Sequence, residues 1–135
     1  MFRSLDDRMA VSPQITPGDV AEAAARGFTL IINNRPDGEE PGQPGSAEIE
    51  AAAQAAGLSY LAIPIVPGGF GEAEIEAMRA ALETAAGPVL GYCRSGTRST
   101  FLWALARARL GDAPATLTAK AAAAGYDITP ISRLL

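Results

Sequence analysis

The chain has 135 residues, of which 48% are apolar, enough for one domain with a buried core. Its net charge of −4 argues against a nucleic-acid or anionic-membrane surface as its main business. It holds one cysteine and no histidine, which excludes an internal disulfide, a Ser-His-Asp or Cys-His enzyme, and nearly every structural zinc site.

No stretch approaches the ~20 apolar residues of a membrane span, and the N-terminus has no apolar signal core, so a cytoplasmic protein is expected. "RMAVSPQ" reads as a short first strand that Pro13 confines to an edge. "TPGDVAEAAARG" reads as a helix with Thr16 as N-cap, Pro17 at its first position and Gly27 as its stop. "FTLIIN" is a buried strand, and "RPDGEEPGQPG" a Pro/Gly-rich loop. "SAEIEAAAQAAG" is a second helix, capped by Ser46 and closed by Gly57. Then come the strand "LSYLAIPI", the turn "VPGGFG", the helix "EAEIEAMRAALETAAG" and the core strand "PVLGY". After the segment Cys93 to Arg98, a fourth helix is expected from about Ser99 to Leu110, a fifth over "APATLTAKAAAAG", and a final helical turn in "YDITPISRLL". Strands alternating with helices predict an α/β fold with a largely parallel sheet, one domain over residues 1–135. Ligands of such sheets bind beyond the carboxyl ends of the strands. Three loops are expected there: Asn33 to Gly45, Val66 to Gly71 and Cys93 to Arg98.

The segment "GYCRSGTRST" carries the chemistry. A helix starting after Arg98 would aim free N–H groups, and about half a positive charge, back into the loop. With Gly96 permitting a tight turn, the backbone of Arg94, Ser95, Gly96, Thr97 and Arg98 can form an anion nest. Cys93 at its base is expected to exist largely as thiolate and to act as nucleophile. Arg98 can grip an oxyanion through two parallel N–H bonds, and Ser99 can donate to the sulfur. A lone cysteine is commonly a packing residue, but two arginines, a glycine and three hydroxyl residues are poor neighbours for a core position. No cofactor or metal is needed.

"NNRPDGEE" leaves a strand end on the same face. Arg35 is a candidate for added positive charge, and Asp37, Glu39 and Glu40 for a general acid or a holder of Arg98. The plainer alternative is a turn at Pro36, Asp37 and Gly38 followed by solvated glutamates. That alternative is preferred for Glu39 and Glu40 and stands level for Arg35 and Asp37. Trp103 and Phe101 read as core.

The Cys-x4-Arg spacing of "CRSGTR" is similar to the active loop of rhodanese-type sulfurtransferases, although no Asp-Val-Arg or Gly-His-Ile segment accompanies it. The wider stretch from "LAIPI" through "CRSGTRST" resembles dual-specificity protein phosphatases. Through "SPQITPGDV", "INNRPDGEE", "YLAIPI", "YCRSGTRS" and "AGYD", nearly the whole chain resembles the beta-lactamase-hydrolase-like phosphatase-like domain family. The resemblance implies a protein-tyrosine-phosphatase-like fold, and a metallo-hydrolase as partner domain. Two departures bear on the reaction. The loop is one residue shorter than the Cys-x5-Arg of the phosphatases, and Val66, Pro67 and Gly68 stand where a phosphatase acid is expected. Tyr92 replaces the histidine that commonly precedes the cysteine. These departures favour sulfur transfer through a persulfide on Cys93, because sulfite needs no proton to leave, with a small sulfur or phosphate oxyanion as substrate. The alternatives are a phosphatase working through a cysteinyl-phosphate and a binding module for anions or persulfides without turnover.

Overall fold

A computed structural model describes residues 1–135. Five strands, β1 (Arg3–Ser4), β2 (Met9–Ser12), β3 (Leu30–Asn33), β4 (Ser59–Ala62) and β5 (Val89–Tyr92), form one sheet in the order β1-β2-β5-β3-β4. Only β1 runs antiparallel, against β2; the other pairings are parallel. The helices are α1 (Pro17–Ala25), α2 (Ser46–Ala55), α3 (Glu72–Thr84), α4 (Thr97–Arg109) and α5 (Pro114–Ala123), followed by a 3₁₀ turn over Thr129–Leu134. The fold is α/β, as expected.

The two-residue period of the strands sorts their side chains between two apolar layers. On β3, Ile31 packs with Val20 and Ala23 of α1 and Ile49 and Ala53 of α2. Its neighbour Ile32 packs on the other face with Ile75 and Met78 of α3 and Leu102 and Trp103 of α4. Each such fully buried side chain contributes roughly 1.5–3 kcal/mol of transfer free energy. β5 alternates likewise: Val89 joins the α3–α4 layer, while Leu90 and Tyr92 join the α1–α2 layer. Gly91 faces α4, and a Cβ there would stand 2.7 Å from Met9 Cε and 3.6 Å from Ser99 Cβ. The missing side chain therefore lets the first turn of α4 settle against the end of the central strand.

Three local expectations change. β2 is an interior strand rather than an edge, because the short β1 covers its free side and Pro13 lies just beyond its last residue. Ser46 is the first helical residue of α2, and the Asp37 carboxylate accepts its N–H at 2.8 Å from nine residues upstream. Helix α4 begins at Thr97, so Arg98 sits in its first turn and the loop itself is only Cys93 to Gly96. The cap of α1 is as expected: Thr16 accepts from the Asp19 N–H while Asp19 accepts from the Thr16 N–H.

Candidate functional site

The parallel strands end along one edge, and β5 lies at their centre, between β2 and β3. Cys93 follows β5 directly and is fully buried. The Gly96 N–H donates to Cys93 Sγ at 3.1 Å, closing the loop around the sulfur. Gly96 has φ +92°, a left-handed conformation that glycine adopts without a Cβ penalty. The loop is also anchored from the segment just past β2, since the Gln14 N–H donates to the Arg94 carbonyl at 3.2 Å. The N-terminus of α4 thus faces the sulfur, as its dipole requires for an anion site.

Arg98 reaches across to the segment after β3. Its Nη1 donates to Glu39 Oε2 at 2.8 Å and to the Ile65 carbonyl at 2.9 Å, and its Nη2 to Glu39 Oε1 at 2.8 Å. Three of the five guanidinium N–H groups are thereby taken. The Nε–H and the second Nη2–H, parallel donors on one edge, are bonded to no protein oxygen. The hydrogen-bonded Glu39 carboxylate raises Arg98 above its ordinary range against the pull of burial, and the sulfur of Cys93 adds to the rise. Glu39 is correspondingly held down at about 2, first by Arg98 and, against the cost of burial, also by Arg35. It is a fixed anion at neutral pH and has no proton to give.

Arg35 lies beneath this pair with its side chain 1% exposed. Its Nε donates to Glu39 at 2.8 Å, its Nη2 to Glu40 at 3.0 Å and its Nη1 to Gln14 at 3.1 Å. Burial alone would lower the Arg35 pKa, but the bonds to Glu39 and Glu40 more than offset it, and the net direction is up. Glu40 also stands 3.9 Å from the guanidinium of Arg94, which is otherwise open to solvent. One buried cation therefore ties together two carboxylates, each turned toward one arginine of the CRSGTR loop.

These contacts correct several expectations. Arg35 is buried and spends donors on Glu39, Glu40 and Gln14 rather than facing open solvent. Asp37 accepts the Ser46 N–H at the first turn of α2 and lines a cavity of about 190 Å³ with Ser46 and Pro64, whose lining does not include Arg98. Ser99 is fully buried against Gly91, and its hydroxyl has no hydrogen-bond partner, so it does not donate to Cys93. Glu39 and Glu40, read as solvated charges after a turn, are the partners of the site arginines. Their sequence signal was their position four and five residues after Arg35, in a loop leaving the carboxyl end of a strand. Gln14 had no signal, since it lies two residues past β2, in a segment that read as the end of an edge strand. Ser95 and Thr97 bond to one another, Ser95 Oγ donating to Thr97 Oγ1 at 3.0 Å. Trp103 is core, with Nε1 donating to Asp6 at 3.2 Å.

Above the loop opens a cleft of about 460 Å³, lined by Pro36, Glu39, Val66, Pro67, Arg94 and Arg98. It brings all three expected loops to one place. No acid from Val66 to Gly71 enters it.

Comparison with known proteins agrees with this geometry. A protein of Xylella fastidiosa named beta-lactamase hydrolase-like protein is 45% identical over 101 residues, covering 75% of this chain and 23% of its own length. A crystal structure from Neisseria meningitidis, described as a candidate phosphatase, superimposes with a TM-score of 0.85 at 35% identity, covering 98% of this chain and 94% of that one. Tk-PTP shares the fold, with a TM-score of 0.71 at 21% identity over 98% of this chain and 90% of its own. The chain thus spans about a quarter of the length of the beta-lactamase hydrolase-like relative. No helix is long and apolar enough to cross a membrane. With residues 1–110 matching the phosphatase-like domain of beta-lactamase hydrolase-like proteins, and with a phosphatase-like fold carrying its one cysteine at the carboxyl end of the central strand, the chain belongs to that family.

Proposed function

We propose that the protein is a cysteine-dependent phosphate-monoester hydrolase that works through a cysteinyl-phosphate on Cys93. The carrying observation is the loop itself: Sγ lies under the Gly96 N–H at the start of α4, beside an Arg98 fork with two parallel donors unspent. The phosphoryl oxygens would take the loop N–H groups and that fork, where fixed dipoles stabilise the charge that develops on transfer. The sulfur attacks phosphorus, a P–S bond forms, and the P–O bond to the leaving group breaks. The leaving oxygen takes its proton from solvent, since Glu39 is a fixed anion and Asp37 caps α2. Water then attacks phosphorus, the P–S bond breaks, and inorganic phosphate leaves with the sulfur regenerated. The family and the Neisseria structure favour this order of readings over sulfur transfer, which the sequence alone had put first.

Two observations keep sulfur transfer as the second reading: four residues, not five, separate Cys93 from Arg98, and the one carboxyl lining the cleft, Glu39, is held ionised. There the outer sulfur of thiosulfate passes to Cys93 and sulfite leaves. Mass spectra of the intact protein, quenched after 4-nitrophenyl phosphate and separately after thiosulfate, distinguish the two. A phosphoryl adduct absent from Cys93→Ser is expected. A stable persulfide from thiosulfate, with no phosphoryl adduct and no nitrophenol release, would reverse the order.

A further inference from the structure

Tyr126, in the AGYD segment, lies beyond residues 1–110 matched to the family's phosphatase-like domain and outside every loop expected at the site. Its hydroxyl donates to the Ser95 carbonyl at 3.1 Å. That carbonyl and the Gly96 N–H belong to one trans peptide plane, so they point in opposite directions. The oxygen faces out to Tyr126, while the N–H faces in to Cys93 Sγ. Were this plane to rotate, the carbonyl oxygen would turn into the nest and meet the sulfur and any bound anion with its negative end. The phenol also leans on the loop directly: a Cβ at Gly96 would collide with Tyr126 Oη and stand 3.0 Å from Cζ.

Tyr126 is itself held from two sides. Its N–H donates to Ala121 at the end of α5, after the left-handed turn at Gly125. The Arg3 guanidinium of β1 lies 5.8 Å from the ring centroid and donates to the Ala124 carbonyl at 3.1 Å. The first strand and the last helix, remote in sequence, therefore meet on the outer side of the cysteine loop.

We propose that Tyr126 is a positioning residue that locks the Ser95–Gly96 peptide with its N–H turned toward Cys93, an assignment that rests on reading this loop as the anion site. Tyr126→Phe keeps the ring and its packing and removes only the hydroxyl. One neutral hydrogen bond sets the scale, so losses of roughly 2- to 10-fold are expected. Two readouts are taken on both proteins: hydrogen exchange and the amide resonance of Gly96 by NMR without ligand, and the affinity for inorganic phosphate. The variant is expected to shift the Gly96 resonance, to exchange that amide about 2- to 10-fold faster, and to bind phosphate weaker by a similar factor, with little change in melting temperature. An unchanged Gly96 resonance and exchange rate would overturn the positioning role, whatever phosphate does. If the Gly96 changes occur and the unsubstituted protein fails to bind phosphate, the positioning role stands and the phosphatase reading falls.

Discussion

Replacing Glu39 with Gln tests the electrostatic core of the site. A carboxyl held at about 2 against an ordinary 4.5 prefers its ionised form in the fold by roughly 3 kcal/mol, at 1.36 kcal/mol per pH unit. With 21% of the Glu39 side chain in solvent, screening reduces the share that reaches stability to about 1–2 kcal/mol. The lowered value means that this stabilisation is complete above the ordinary 4.5 and disappears as pH falls through about 2. Glu39→Gln should therefore be less stable near neutral pH by about 1–3 kcal/mol, the upper end reflecting the buried Arg35 left with one charged partner instead of two. The gap should close between about pH 4.5 and pH 2, where the native carboxyl takes up its proton and comes to resemble the amide. Glu72, Glu76, Asp112 and Asp127 are also lowered, but they are present in both proteins and cancel in the difference. Urea denaturation at several pH values reads the gap directly. Aryl-phosphate turnover should fall about 10- to 100-fold, because the Arg98 fork loses the carboxylate that aims it. A stability gap that stayed constant down to pH 2, or none at pH 7, would refute this account of the Arg35–Glu39–Arg98 chain.

Arg98→Lys should lower kcat/KM for an aryl phosphate by about 10²-fold or more, since an ammonium cannot occupy Glu39, Ile65 and an oxyanion as a planar fork does; Arg94→Lys should stay within several-fold, as its mostly exposed head group makes only a 3.9 Å contact with Glu40 that an ammonium can also make, and steady-state kinetics of both variants would expose an error if the losses were equal. Gly96→Ala should destabilise the loop by about 1–3 kcal/mol, forcing a side chain into φ +92° and against Tyr126, and should abolish phosphate binding as followed by calorimetry. Aryl phosphates should be preferred over alkyl phosphates such as phosphoserine by roughly 10²–10⁴ in kcat/KM, the worth of the missing proton transfer to a basic leaving group; comparable rates on both would mean that a protonated acid reaches the cleft after all.

The α/β order, the helix caps at Thr16 and Gly57, and the cysteine loop between a strand and a helix are legible in the sequence because each rests on neighbouring residues. Periodicity, capping and left-handed glycines act over a few positions, and "CRSGTR" encloses its own nucleophile and arginine in six residues. The partners of that motif are not local. Glu39 meets Arg98 across 59 residues, Tyr126 meets Ser95 across 31, and Arg35 meets Gln14 across 21. No residue-type pattern in "RPDGEE" separates the glutamate that clamps Arg98 from one left in water, because the difference is made by β3 delivering the loop beside β5 in the sheet. Likewise Asp37, the most acid-like residue of that segment by position, is taken by the first turn of α2. The motif states which groups can do the chemistry. Which carboxylate is ionised, which arginine is free, and which way the Ser95–Gly96 peptide faces depend on charges and donors brought within 3.1 Å by the sheet order and by the packing of the chain's last segment, and only the tertiary structure decides them.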